Sequence, residues 1–173
     1  MVLFRLGSGD LIMKVILVRH GEAEDPALAK SDQSRTLTEK GVRDIHKIGR
    51  FIHNSPLKVS QVFYSPYTRT RLTAEILSEE IEFSGQPISQ LELAAGAKCS
   101  DFLCCLESLK NSDTVLLVGH NPDITIFAAQ LLGNSSAAEN LIFLPGSTIA
   151  INVARERFAN GQIIWALSPD MLG

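Results

Sequence analysis

Apolar residues along the chain fall into two kinds of run. Val15-Ile16-Leu17-Val18 and Val115-Leu116-Leu117-Val118 are unbroken and β-prone, the pattern of strands buried on both faces of a sheet. Val59 to Tyr64 reads as another strand, stopped by Ser65-Pro66. Elsewhere the apolar positions recur at helical spacing. Val42, Ile45, Ile48, Phe51 and Ile52 form one stripe, with Thr38 as its N-cap and Arg43, Asp44 and Lys47 facing outward. Leu72, Ile76 and Leu77 form a second, with Pro66 in its first turn. Gly85 and Pro87 mark a turn, and the stretch from Leu91 to Gly96 reads as a loop. Phe102, Leu103, Leu106 and Leu109 follow on a helix capped by Ser100. Ile124, Phe127, Ala128, Leu131 and Leu132 lie on a last helix, opened by Asn121-Pro122 and stopped by Gly133. Residues 134–146 read as a loop with a weak short helix. Ser147–Val153 and Gln162–Leu167 read as a hairpin turning at Asn160-Gly161. Strands alternating with helices predict an α/β fold, its sheet mostly parallel with an antiparallel hairpin at the end.

A length of 173 residues suits one domain with a sizeable core. The pattern places that domain over residues 14–173, with residues 1–13 as an extension before the first strand. No stretch approaches the apolar length of a membrane span, and the N-terminus lacks the core of a secretory signal. A net charge of -3 argues against a general nucleic-acid or acidic-membrane binder. Cys99, Cys104 and Cys105 are odd in number and lack metal-site spacing, so they read as small apolar residues in a reducing cytoplasm.

Composition leaves the chemistry to the strand ends. Three strand-to-helix junctions carry Arg19-His20-Gly21, Ser65-Pro66-Tyr67-Thr68-Arg69 and Gly119-His120-Asn121. In an open α/β sheet the ligand crevice lies beyond the carboxyl ends of the strands. Parallel neighbours would therefore bring Arg19, His20, Arg69 and His120 to one crevice, with Arg35 able to reach in. Arg71, two residues from Arg69, points the opposite way. Guanidinium forks and helix-start N–H groups match a phosphoryl group. The crevice offers no cysteine and the chain no G-x-S-x-G elbow, which leaves histidine as the nucleophile. Attack requires an unprotonated nitrogen, and surrounding cations lower an imidazole's pKa. The arginines thus keep His20 neutral and stabilise the transferring phosphoryl group. Two histidines also suit a metal, but arginine is the wrong neighbour for a cation. His46 and His53 fit surface or helix-end positions.

Arg19-His20-Gly21-Glu22-Ala23 resembles the RHG signature of the histidine phosphatase superfamily, which includes phosphoglycerate mutases and acid phosphatases. Ser65-Pro66-Tyr67-Thr68-Arg69-Thr70 resembles the second motif of that superfamily, and Gly119-His120-Asn121-Pro122 its GH motif. The short chain, the Arg35-Thr36-Leu37-Thr38-x-x-Gly41 stretch and the GHNP form are most similar to SixA-type phosphohistidine phosphatases. The resemblance runs from Lys14 nearly to the end. It implies a three-layer α/β/α sandwich, phosphoglycerate mutase-like, with no metal or organic cofactor. It implies His20 as the transiently phosphorylated nucleophile, and Arg19, Arg69 and His120 as phosphoryl-binding groups. Arg35 is implied as a further phosphate contact, although Thr36 stands where the family has proline. Glu92 is the candidate proton donor by position, with Glu22 and Glu24 as others nearer in sequence. The implied substrate is a phosphohistidine-bearing partner protein, since small-molecule members build a lid over the crevice from inserted segments. A small phosphoester phosphatase or mutase, and a catalytically silent phospho-binding module, are the alternatives.

Overall fold

The computed structural model describes residues 12–107, 109, 114–154 and 158–173. Among them six strands form one sheet: β1 (Ile12–Arg19), β2 (Gln61–Tyr64), β3 (Ile88–Ser89), β4 (Thr114–Gly119), β5 (Thr148–Ala154) and β6 (Ala159–Leu167). Their order across the sheet is β3-β2-β4-β1-β5-β6. Neighbours from β3 to β1 pair in parallel, whereas β5 pairs antiparallel with both β1 and β6. The sheet is therefore mostly parallel, and β5 alone runs against the rest.

Among the described residues four helices cover its two faces: α1 (Glu39–Asn54), α2 (Thr68–Glu80), α3 (Cys99–Glu107) and α4 (Asp123–Leu131). The pleat of β1 explains the layers. Met13, Val15 and Leu17 enter a core with Phe102, Leu106, Phe127 and Leu131 of α3 and α4. Ile16 and Val18 point the other way, into a core with Ile45, Ile48, Ile52, Ala74 and Leu77 of α1 and α2. An unbroken apolar run is required wherever both faces are covered. Phe102 and Phe127 stack face to face, with ring centroids 4.2 Å apart.

The register positions the site. Arg19 pairs with Gly119 across β1 and β4, and Tyr64 pairs with Val118 across β2 and β4. His20 and His120 thus leave adjacent parallel strands at the same level, and Ser65 leaves β2 beside them.

The fold departs from the sequence pattern at several points. Ile12 and Met13 belong to β1, so the expected extension over residues 1–13 overlaps the first strand; residues 1–11 lie outside the described residues. Asp44 is not on the outer face of α1 but buried, with Lys40 Nζ at 2.6 Å from its carboxylate. The inner face of α2 is Arg69, Thr70, Thr73, Ala74 and Leu77, whereas Leu72 and Ile76 lie only partly buried. Its first turns border a polar crevice rather than the apolar core, which defeats hydrophobic periodicity there. Ser100 lies within α3 rather than capping it. Asn160 and Gly161 do not form the hairpin turn but sit inside β6, where the register with β5 shifts between Asn152 and Ala154. Asn160 has a φ of 57°, a bulge conformation that Asn tolerates as well as it tolerates a turn. The two-residue strand β3 carries no legible alternation.

Thr38 caps α1 as expected, its hydroxyl accepting from Gly41 N at 3.0 Å. Gly41 and Gly21 are glycines because the helix start abuts the segment after β1. A Cβ on Gly41 would lie 2.2 Å from Glu22 O, and one on Gly21 would lie 2.8 Å from Ile45 Cγ1. Gly→Ala in a free helix stabilises by roughly 0.5–1 kcal/mol. Here overpacking of about 1–3 kcal/mol outweighs that gain. Gly41→Ala is expected to lower the midpoint of urea unfolding; a variant as stable as the parent or more so would show that the backbone contact relaxes freely.

Candidate active site

The backbone at the end of β1 is held from three directions. Arg19 N donates to Ser147 O at 3.0 Å, His20 N to Gly119 O at 3.1 Å, and Gly146 N to His20 O at 3.0 Å. Gly21 N donates to Thr73 Oγ1 at 3.1 Å, and the Thr73 hydroxyl donates to Arg69 O at 2.7 Å. Thr73 therefore ties the RHG segment to the first turns of α2. Arg69 reaches inward from that helix and is only 4% exposed, while Arg71 faces solvent and pairs with Glu75 at 2.7 Å.

Three of the predicted residues meet, and Arg19 stands near enough for its charge to act on them. The imidazole centroids of His20 and His120 are 5.4 Å apart at 64°. Arg69 lies between them, its Nε 3.1 Å from His20 Nε2 and its Nη2 3.3 Å from His120 Nδ1. The Arg69 guanidinium also stacks over Tyr67, 4.9 Å from the ring centroid, and Tyr67 in turn packs edge-on against His120 at 4.7 Å. Arg19 Nη1 donates to Phe143 O at 2.5 Å, its Nε is buried without a partner, and its charge acts on both imidazoles.

These contacts assign the imidazole tautomers. His20 Nδ1 lies 2.7 Å from Gly21 O, a carbonyl that only accepts, so the ring proton sits on Nδ1. Arg69 only donates, so His20 Nε2 is the acceptor and presents a lone pair. The two contacts agree independently. By the same reasoning His120 accepts at Nδ1 from Arg69, and its Nε2–H donates to Ser65 Oγ at 2.7 Å.

Burial and charge keep both rings neutral. His20 is 9% and His120 3% exposed. Burial lowers the His20 pKa most, the Gly21 carbonyl opposes it, and Arg69, Arg19 and Arg35 add to the lowering, to about 4. The His120 pKa falls to about 3, again through burial first, with His20 and Arg69 adding and Asp32 opposing.

Arg35 and Glu92 are placed differently. Arg35 Nε donates to Glu24 O at 2.8 Å and its Nη1 to Asp32 Oδ1 at 3.0 Å; neither contact is with an imidazole. Glu92 lines a surface pocket with Leu91, Asp101 and Cys104, and makes no hydrogen bond or ion pair to His20, Arg19, Arg69 or His120. Glu22 accepts from the Thr38 hydroxyl at 2.8 Å and Glu24 from the Thr36 hydroxyl at 3.0 Å. The carboxylate at the crevice is Asp32, which the sequence pattern passed over. Its Oδ2 lies 3.0 Å from Arg69 Nη2, and its carbonyl accepts from Arg69 Nη1 at 2.6 Å. The spacing of Asp32 and Arg35, three apart on a polar loop, was the available signal. Among the described residues no cluster of three His, Cys, Asp or Glu side chains could hold a metal ion.

A six-stranded sheet between helical layers, with two imidazoles flanking a buried guanidinium at its strand ends, defines a phosphoglycerate mutase-like α/β/α protein. Residues 15–93 match the model of the histidine phosphatase superfamily (branch 1). An uncharacterized protein of Picosynechococcus sp. is 32% identical over 114 residues, 65% of this chain and 68% of that protein. The structure of the protein histidine phosphatase SixA complexed with tungstate superposes with a TM-score of 0.82 at 24% identity, over 93% of this chain and 100% of that one. A phosphoserine phosphatase from Entamoeba histolytica superposes with a TM-score of 0.66 at 14% identity, over 93% and 100%. The chain belongs to the histidine phosphatase superfamily.

The imidazoles link stability to pH with a definite sign. Unfolded, both titrate near 6.5; folded, they are depressed to about 4 and about 3. Below pH ~6.5 the unfolded chain binds more protons than the folded one, so stability present above 6.5 is lost as pH falls towards 4. Urea unfolding between pH 7.5 and 4.5 is expected to show that loss, with a shallower slope in a His20→Asn/His120→Asn double variant. Equal slopes in the two proteins would show that the imidazoles titrate normally.

Proposed function

We propose that the chain is a phosphatase that transfers a phosphoryl group to His20 and hydrolyses the resulting phosphohistidine, with the phosphohistidine of a partner protein as preferred donor. The observation that carries this reading is the His20 tautomer. Its Nε2 lone pair is fixed by the Gly21 carbonyl, kept unprotonated by burial, and faces the guanidinium that would receive the phosphoryl oxygens.

In the first step the lone pair on His20 Nε2 forms a bond to phosphorus, and the bond from phosphorus to the donor nitrogen breaks with its electron pair, the donor ring, protonated on its other nitrogen, leaving as a neutral imidazole. Arg69 and Arg19 stabilise the charge on the equatorial oxygens. The arriving dianion offsets the cations around His120 and favours uptake of a proton from water at Nδ1, which turns an acceptor into a donor towards the oxygens. Water then attacks phosphorus, the bond to Nε2 breaks, and inorganic phosphate leaves with His20 restored.

The choice of donor rests on the carboxylates. Among the described residues Asp32 is the one carboxylate bonded to this cluster, and hydrogen bonding from Arg35, then Arg69, holds its pKa below the usual range. It stays ionised and is no proton donor. An imidazole departs with little acid assistance, whereas an alkoxide does not. The tungstate-bound SixA shares the fold. The three free cysteines suit a reducing cytoplasm, no helix among the described residues is long and apolar enough to cross a membrane, and a charge of -3 disfavours nucleic acid.

His20→Ala is expected to abolish turnover and labelling of the enzyme by a radiolabelled phosphohistidine-bearing protein. His120→Ala and Arg69→Gln are each expected to lower kcat by about 10²–10³. Faster turnover of 3-phosphoglycerate or phosphoserine than of the phosphohistidine protein would make the chain a small-phosphoester enzyme. Phosphate binding without turnover of any donor would make it a binding module.

A further inference from the structure

The guanidinium at the centre of the site is gripped from outside by groups that the proposed reaction does not use. Of Arg69's N–H groups, those on its inner edge face His20 Nε2 and His120 Nδ1. Among the described residues the outer edge is taken up by Asp32 alone, through carbonyl and carboxylate together, at 2.6 and 3.0 Å. The other carboxylate oxygen of Asp32 accepts from Arg35 Nη1 at 3.0 Å. Arg35 is itself anchored by Nε to Glu24 O at 2.8 Å.

The loop that carries these groups is closed at its base. Ala23 bridges Leu37, Glu24 N donates to Thr36 O at 3.0 Å, and Thr38 N donates to Glu22 O at 2.9 Å. Asp32 opens a short helical turn capped reciprocally by Ser31 and Ser34. A 55% exposed Asp32 side chain would ordinarily sample many rotamers and contribute little through a single ion pair. A carboxylate shared by two guanidiniums, with its own carbonyl on one of them, is a two-point geometric constraint instead.

Resting on the phosphatase reading above, we propose that Arg35 and Asp32 are positioning residues acting in series: Arg35 orients the Asp32 carboxylate, and Asp32 fixes the rotation of Arg69 so that its inner edge spans both imidazoles. Arg35 then contributes to turnover without touching the phosphoryl oxygens. This differs from a direct phosphate contact, which the sequence resemblance implied for it. It also differs from a purely structural loop clasp, because its effect passes through the reacting guanidinium. A rotated Arg69 would still supply a positive charge to the ground state. It would lose the alignment on which the transition state depends.

Series action has a signature that neither rival shares. Asp32→Asn, Arg35→Gln and the double variant are compared with the parent by kcat and KM on a phosphohistidine-bearing protein, by orthovanadate affinity, and by melting temperature. Asp32→Asn is expected to lower kcat and weaken vanadate binding by about 10- to 100-fold, with KM within about threefold and melting little changed. Arg35→Gln is expected to do the same to a smaller extent, and the double variant to be no worse than Asp32→Asn. Multiplied effects in the double variant would overturn the series arrangement and make Arg35 a direct ligand. An Asp32→Asn protein with unchanged or faster turnover and tighter vanadate binding would overturn the positioning role, making Asp32 a competing anion. If the parent turns over no phosphoryl donor, the phosphatase reading fails by itself, and vanadate affinity across the three variants still decides the arrangement of Arg35, Asp32 and Arg69.

Discussion

The parallel register between β1 and β4 is the constraint on which the site depends. Arg19 opposes Gly119, so the next residue on each strand is a histidine, and the two rings emerge side by side. Side chains in a strand alternate, and a slip of one residue would send one ring to the opposite face of the sheet. Such a slip would also exchange Val15 and Leu17 with Ile16 and Val18, or Val115 and Leu117 with Leu116 and Val118, between two cores packed by different helices. The same hydrophobic burial that stabilises the central strands therefore aligns the reactive groups, and no separate device is needed to hold two residues a hundred positions apart.

Around that pair, desolvation and positive charge act in the same direction. A buried imidazole resists protonation, and nearby guanidiniums resist it further. The arrangement is stable because each ring nitrogen that carries a proton has an acceptor, Gly21 O or Ser65 Oγ, while each bare nitrogen faces Arg69. Both imidazoles are thus already in the protonation state that attack on phosphorus requires, and the step left to the reaction is the release of the His20 Nε2 lone pair from Arg69 Nε–H.

Much of this was legible before any coordinates. Unbroken apolar runs mark central strands because only strands covered on both sides tolerate them, and the residues that interrupt those runs, Arg19-His20 and Gly119-His120, announce the site. Legibility fails where a residue's surroundings are supplied by distant chain. Asp44 looks solvent-facing by its place on α1, and nothing local announces its burial beside Lys40. Leu72 and Ile76 look like a core stripe, but α2 turns its polar side to the crevice. Asn160-Gly161 carries the backbone freedom of a turn and uses it for a bulge. Asp32 was invisible for a related reason: on a polar loop one carboxylate looks like another, and only the closure of residues 24–36 brings it to Arg69. Glu92, chosen by its distance along the chain, is bonded to none of the four.

The hydrogen bonds from Gly146 N to the carbonyls of Arg19 and His20 carry one more implication. The segment just before β5 contributes no reactive side chain, yet it splints the peptide on which the nucleophile is mounted, and Phe143 O holds the adjacent guanidinium. The antiparallel return of β5 is what delivers this splint. The portion that matches the superfamily model ends at residue 93, well short of it, so the most recognisable half of the polypeptide is not a self-sufficient machine. Shifts in the C-terminal third would reach the chemistry through main-chain geometry alone, without altering any residue of the three motifs.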